Sequence, residues 1–227
     1  MLSSLIFIGT YWFSQYKHGK KNKLRVDINY SKPPLLLNDS LVNKLLTQNL
    51  SSKFSLQKDS LDLNILESKM NKIPEVENTE IFLLPDGVMS ILITDRKPLF
   101  KFDSTPSVYS DANGVLFNFN NIDSVSYPKF NTTSSSISLE TSASLIKNLK
   151  ADPFLSEELK SVRLNDNQYQ LKLKSFDFKI IFGSTDRIKE KIKKLKVFCA
   201  FQTLQDSLKH FKKINLSYKN QVVASTP

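Results

Sequence analysis

Apolar and polar positions divide the chain into three parts. Residues 2–16 (LSSLIFIGTYWFSQY) carry no charge and no polar face. Leu5, Ile6, Phe7 and Ile8 are followed by Tyr11, Trp12, Phe13 and Tyr16, and then by Lys17, Lys20 and Lys21. Aromatic residues followed by lysines are what a bilayer interface selects. As a helix, residues 1–16 would span roughly 24 Å, short of the roughly 30 Å of a hydrocarbon core. An uncleaved membrane anchor therefore needs a start further upstream, or thinned bilayer with snorkelling ends. Two readings compete with it. A cleaved signal peptide would need a basic start and a small-x-small site, and neither is present. A buried soluble helix would have to be apolar all round.

From residue 24 to residue 97 the period switches between two and 3.6. Residues 24–30 (LRVDINY) alternate and predict a half-buried strand. Pro33 and Pro34 end it. Asn38 and Asp39 can cap a helix with Leu41, Val42, Leu45 and Leu46 on its apolar face. Residues 50–59 are polar and predict a loop. A second helix places Leu63, Leu66 and Met70 on one face and stops before Pro74. Residues 76–83 and 88–94 predict strands joined through Pro85-Asp86-Gly87, a strong hairpin signal. Strand, helix, helix, strand, strand would set two helices on one face of a three-stranded sheet.

The character changes at Lys97-Pro98. Residues 108–110 and 115–119 predict a hairpin around Asp111-Ala112-Asn113-Gly114. Residues 131–138 are rich in Ser and Thr and predict an exposed loop. A short helix is expected over 139–149. Three strands follow, over 159–164, 169–174 and 176–182. The last two alternate cleanly, which predicts one solvated face and an antiparallel sheet. Asp186 opens a long helix. Its Ile188, Ile192, Leu195 and Cys199 share a face, so Cys199 is expected in the core, and Leu204, Leu208 and Phe211 are expected to continue that face. Residues 214–218 and 221–225 predict two closing strands joined at Lys219-Asn220.

Composition narrows the function classes. The chain has 227 residues, 40% of them hydrophobic and 24% charged, which excludes wholesale disorder. No run of eighteen apolar residues exists, which excludes a multi-spanning membrane protein. A single cysteine excludes an internal disulfide and a multi-cysteine zinc site. The net charge is +10, gathered in residues 17–25, 187–196 and 209–219. The first stretch follows the apolar segment and favours a membrane surface. The second has helical spacing and reads as a solvated helix face. The positive-inside rule, applied literally, would leave everything after residue 17 in the cytoplasm.

No constellation supports catalysis, a metal or a cofactor. There is no Gly-x-Ser-x-Gly, no His-Glu-x-x-His and no phosphate loop. Cys199 sits on an apolar face rather than in an electropositive niche. His210 has no carboxylate nearby to orient it. Asp111-Ala112-Asn113-Gly114 opens like a calcium loop but lacks the later ligands, so it reads as turn chemistry. Nucleic-acid binding is not indicated, because basic residues are not interleaved with an aromatic platform.

Four segments, in this order and spacing, carry a resemblance. They are Ile73-Pro-Glu-Val76; Leu84-Pro-Asp-Gly87 with Ile93-Thr-Asp-Arg-Lys-Pro98; Ser110-Asp-Ala-Asn-Gly-Val-Leu-Phe117; and Ile214-Asn-Leu-Ser-Tyr-Lys-Asn-Gln-Val-Val223. Over about residues 24–224 the chain resembles the FtsQ/DivIB cell-division family, most like its Bacteroidota versions. It departs from the family in having Asp95 where Glu is usual, in lacking a recognisable "GN..LS" loop at 31–38, and in having no N-terminal cytoplasmic tail. The resemblance implies an α+β protein: an anchor helix (1–16), a basic juxtamembrane linker (17–23), a POTRA domain of order β-α-α-β-β (24–97) and a mixed C-terminal β domain with a mainly antiparallel sheet (98–227). It implies a single-pass inner-membrane protein with its bulk in the periplasm at the septum, against the literal charge count. It implies a non-catalytic divisome scaffold that recruits FtsB/FtsL-type coiled-coil partners for septal peptidoglycan synthesis.

The expected contact is the last strand. An unpaired edge is a template for strand addition. The expected partner-binding residues are Tyr218, Gln221, Val222, Val223, Ala224 and Ser225, with Tyr218, Val222 and Ala224 giving selectivity if they share a face. The alternatives are that the last strand merely closes the core, or that the chain is a POTRA-type chaperone or translocation accessory of the envelope. Lacking both nucleophile and base, the chain is not expected to be an enzyme.

Overall fold

The structure is a computed structural model. It describes residues 25–37, 40, 42, 44, 62–103, 106–118, 125–133, 138–204 and 211–226. The anchor residues Leu5, Ile6, Phe7, Ile8, Trp12 and Phe13 and the basic linker lie outside these, as do Leu41, Leu45 and Leu46, the 50–59 loop, Leu208 and His210. No helix among the described residues is long and apolar enough to cross a membrane. The fold is mixed α+β, in two units, Met1–Asp95 and Arg96–Pro227.

The first unit holds β1 (Arg25–Tyr30), α1 (Leu63–Met70), β2 (Val76–Leu83) and β3 (Val88–Asp95). The sheet order is β1-β3-β2. β1 runs parallel to β3, with Val26 opposite Met89 and Ile28 opposite Ile91. A parallel pair needs a long crossover, and the chain between β1 and β3 carries the helical residues and β2. Alternation along β3 buries Met89, Ile91 and Ile93 completely, against Leu66 and Met70 of α1, Val42 and Leu37. Asp62 caps α1, its carboxylate accepting from Ile65 N at 3.1 Å. Gly87 turns the β2–β3 hairpin at φ 81°, which only glycine adopts without strain.

Asp95, the position that departs from the family pattern, ends β3. Its Oδ2 accepts from the backbone N–H groups of Leu35 (2.7 Å), Leu36 (2.9 Å) and Leu37 (3.4 Å). One short carboxylate thus satisfies three donors that follow the Pro33-Pro34 break.

The second unit is a nine-stranded sheet in the order β12-β11-β10-β9-β8-β7-β4-β5-β6. Its strands are β4 (Phe100–Phe102), β5 (Val108–Ser110), β6 (Leu116–Asn118), β7 (Lys129–Thr132), β8 (Leu159–Asn165), β9 (Gln168–Leu173), β10 (Lys179–Gly183), β11 (Lys213–Asn215) and β12 (Val223–Ser225). Three helices accompany them: α2 (Leu139–Lys150), α3 (Pro153–Glu158) and α4 (Ile188–Leu204). β4–β7, β7–β8 and β10–β11 pair in parallel and the other neighbours antiparallel. The parallel β7–β8 and β10–β11 pairs are the ones bridged by helices.

Strand residues Phe130, Val162, Leu171, Ile180 and Ile214 share one core with Ile146 and Leu149 of α2, Leu155 of α3, and Leu195 and Cys199 of α4. All three helices therefore cover the same face of the sheet. The other face is polar, because period two sends every second residue there.

The Asp111–Gly114 turn is held from two sides. Asp111 Oδ1 accepts from Asn113 N (2.9 Å) and Val115 N (2.8 Å), and its Oδ2 forms a buried ion pair with Arg96. Gly114 has φ 82°, and a Cβ there would lie 2.8 Å from Glu140 N. Two family-like segments are thereby joined by one salt bridge.

The structure corrects several expectations. Asn131 and Thr132 lie in β7 rather than a loop; Asn131 takes the open side of the sheet and Thr132 the side of Phe130, while their backbone pairs with β8. β4 and α3 were not anticipated. β10 begins at Lys179, because Phe176 and Phe178 turn inward to pack on Phe154 and Phe198. Leu204 is 84% exposed and does not extend the core, and Phe211 lies outside the helix. α4 starts at Ile188, two residues after Asp186. The closing strands are three residues each, which leaves Tyr218, Gln221 and Val222 in the connection.

Candidate partner-binding edge

β12 stands at one end of the nine-stranded sheet and pairs only with β11, with Ile214 opposite Ala224 and Asn215 opposite Val223. Its outer edge is unpaired among the described residues. The two valines separate: Val222 packs on the core with Ala224, and Val223 is 43% exposed. Tyr218 is 48% exposed. Tyr218, Val222 and Ala224 therefore do not form one exposed face. The side chains free to meet a partner are those of Tyr218, Gln221, Val223 and Ser225.

What positions this edge is the N-terminal half of α4 together with Arg187, the residue before it. Arg187 donates from its guanidinium to Ser217 O at 3.0 Å. Lys194 Nζ donates to the carbonyls of Leu216 (3.3 Å), Tyr218 and Lys219 (3.3 Å). Asn215 Oδ1 accepts from Ser217 N (2.9 Å) and Oγ (2.6 Å). These bonds satisfy the orphan carbonyls of the β11–β12 connection, which charged donors hold strongly. Gly183, at φ 77°, lets this connection approach β10, since a Cβ there would lie 3.0 Å from Ser217 Cβ.

Beneath the clamp sits Lys191, with a fully buried side chain. Its ammonium donates to Ser184 O (2.9 Å) and Asp186 Oδ1 (2.7 Å) and lies 5.1 Å from the centre of the Phe182 ring. Asp186 also accepts from Ser184 Oγ and from Arg187 Nε. These hydrogen bonds, from Lys191 first, hold its carboxyl well below the usual carboxylate range. The basic stretch 187–196 is therefore not simply a solvated helix face, because Arg187, Lys191 and Lys194 build the support of the terminal edge. A one-dimensional reading misses this. Helical spacing marks which lysines share a side but not that a carbonyl-rich loop lies against them.

Cys199 is 2% exposed, and burial pushes its thiol pKa up to about 12. Among the described residues no group of three His, Cys, Asp or Glu side chains is placed to hold a metal.

The second unit is thus an α+β domain with helices on one sheet face and a braced terminal strand whose outer edge is unpaired among the described residues. Residues 97–225 match the family model described as FtsQ/DivIB, C-terminal related, and the chain belongs to that family. Membership places the protein in cell division, where the family acts through contacts with other divisome proteins. A search of curated proteins found no match.

Proposed function

We propose that the protein is a non-catalytic divisome scaffold that receives a strand of an FtsB/FtsL-type partner at β12 and so supports septal peptidoglycan synthesis. The observation that carries this reading is the position of β12: it ends the sheet, exposes its outer edge and rests on the α4 clamp. Main-chain bonds would supply affinity. Val223 and Tyr218 would supply selectivity, since both are exposed, Val223 on β12 and Tyr218 in the connection that leads to it. Rigid support favours binding because less ordering is left to be done on association.

In this proposal residues 1–16 anchor the chain in the inner membrane, residues 17–23 link it, and the bulk lies in the periplasm at the septum. The first unit serves as a POTRA domain. Its strand order β1-β3-β2, with β1 parallel to β3, supports that assignment.

The test is a binding titration of the full chain, in neutral detergent, against the periplasmic part of the organism's own FtsB/FtsL-like pair. A version ending at Asn220 is titrated alongside, and Tyr218→Ala in the intact chain. Loss of binding on truncation, with Tyr218→Ala weakening it, is the expected result. Undiminished binding by a folded truncated chain would move the site away from β12.

A further inference from the structure

The sheet face opposite the helices carries a line of lysines that cuts across six strands. Register sets Lys101 opposite Lys129, Lys129 opposite Ser161, and Ser161 opposite Lys172. Leu171 opposite Ile180 brings Lys172 beside Lys179, and Lys179 lies opposite Lys213. At about 4.8 Å per strand the line is roughly 24 Å long. It crosses a groove of about 540 Å³ whose walls also carry Arg163 and Lys174. The one acid in the groove, Asp103, bonds Lys129 at 3.0 Å. Lys172, Lys179 and Lys213 form no ion pair with an acid among the described residues.

Like charges directly opposite one another destabilise a sheet. Here the arrangement is repeated at three neighbouring pairs. From it we infer that the open sheet face binds an acidic helical segment of a protein partner, laid along the lysine line. Three features favour that occupant. Acidic side chains at i, i+3 and i+4 repeat every 5–6 Å, close to the strand spacing, and about sixteen helical residues cover the line. The cations are mostly lysines, and Tyr127 is the one aromatic residue lining the groove, so there is no platform on which single-stranded nucleic acid could stack. The surface is a groove, and a flat membrane would not reach its floor.

None of this was legible as a charge run. Each strand contributes one or two cations, spaced by apolar residues that face the core.

This face is distinct from the β12 edge, and the two readings fail separately. The lysine variants below leave residues 214–225 unchanged; only one of them reaches β11, at Lys213, which pairs with Ser225. The experiment uses the full chain in neutral detergent at low salt. The probe is a helical peptide of about eighteen residues with glutamates along one face. Its glutamine counterpart, an oligothymidylate and phosphatidylglycerol vesicles are competitors. The glutamate peptide should bind and the glutamine peptide should not. Lys172→Gln with Lys179→Gln should weaken binding at least about tenfold, and Lys101→Gln with Lys213→Gln should do the same. Lys189→Gln with Lys193→Gln, an equal loss of net charge on α4, should change it less than about twofold. Removing mutually repelling lysines should leave the melting temperature at or above that of the parent, which checks folding. Equal weakening by all three pairs would reduce the effect to net charge and overturn the inference. So would absence of saturable binding, or tighter binding of the oligonucleotide or vesicles through the same lysines.

Discussion

Replacing Asp186 with asparagine should destabilise the second unit far more than replacing Lys191 with methionine. Lys191 is fully buried and Asp186 is about half exposed. Asp186→Asn keeps the shape and one acceptor but leaves the ammonium in the core with the Ser184 carbonyl as its remaining strong acceptor. Breaking a buried pair by removing one partner typically costs about 3–5 kcal/mol. The retained carbonyl, the asparagine acceptor and solvent at Asp186 reduce this to about 2 kcal/mol. For a unit of this size, roughly 4 °C per kcal/mol gives a drop of about 8 °C in its melting transition. Lys191→Met puts an apolar chain of similar volume under Phe182 and leaves Asp186 to water and Arg187, so its cost should stay below about 1 kcal/mol. The pH dependence has a definite sign. Asp186 titrates lower when folded than unfolded, so its contribution is present above the unfolded value, about 3.9. It is lost as pH falls below about 4 toward the folded value, and Asp186→Asn should lose that part of the acid slope. Calorimetry from neutral pH to about pH 3, with amide exchange of residues 214–225 as a local readout, measures both effects. Equal costs for the two variants, or a change within about 0.5 kcal/mol for Asp186→Asn, would refute the assignment of the ion pair as the support of the edge.

Two further outcomes are expected. Asp95→Ala leaves the N–H groups of residues 35–37 without their acceptor and should destabilise the first unit by about 2 kcal/mol, with faster amide exchange at 35–37 and little change in the second unit. Cys199 should resist a thiol reagent at pH 8 in the native protein and react once denatured, because burial keeps it protonated; native labelling at the free-thiol rate would contradict its core placement.

Much of the architecture follows from local chemistry. Asp-Gly at 86–87 and Asn-Gly at 113–114 mark turns, because few other residues tolerate positive φ, and both hairpins stand where those pairs fall. The 3.6 period along Ile192, Leu195 and Cys199 finds a core face, because burial on a helix is a property of spacing. Strands with weak alternation are harder to read. Asn131 and Thr132 look like loop residues until parallel pairing with β8, opposite Arg163 and Leu164, engages their backbone.

The site divides along the same line. Sequence alone determined that the last segment is a short strand near the chain end, because hydrogen-bonding potential and alternation are local. Tertiary structure alone decided that it ends the sheet and that Val222 and Val223 part company. It also decided that Lys191 serves as a buried post and Lys194 as a clamp rather than as solvent-facing charges. The lysine line across β4, β7, β9, β10 and β11 exists only in register, since residues as distant as Lys101 and Lys213 become part of one row through strand pairing. Long-range electrostatics is a property of distances in space, and no one-dimensional pattern of the chain contains those distances.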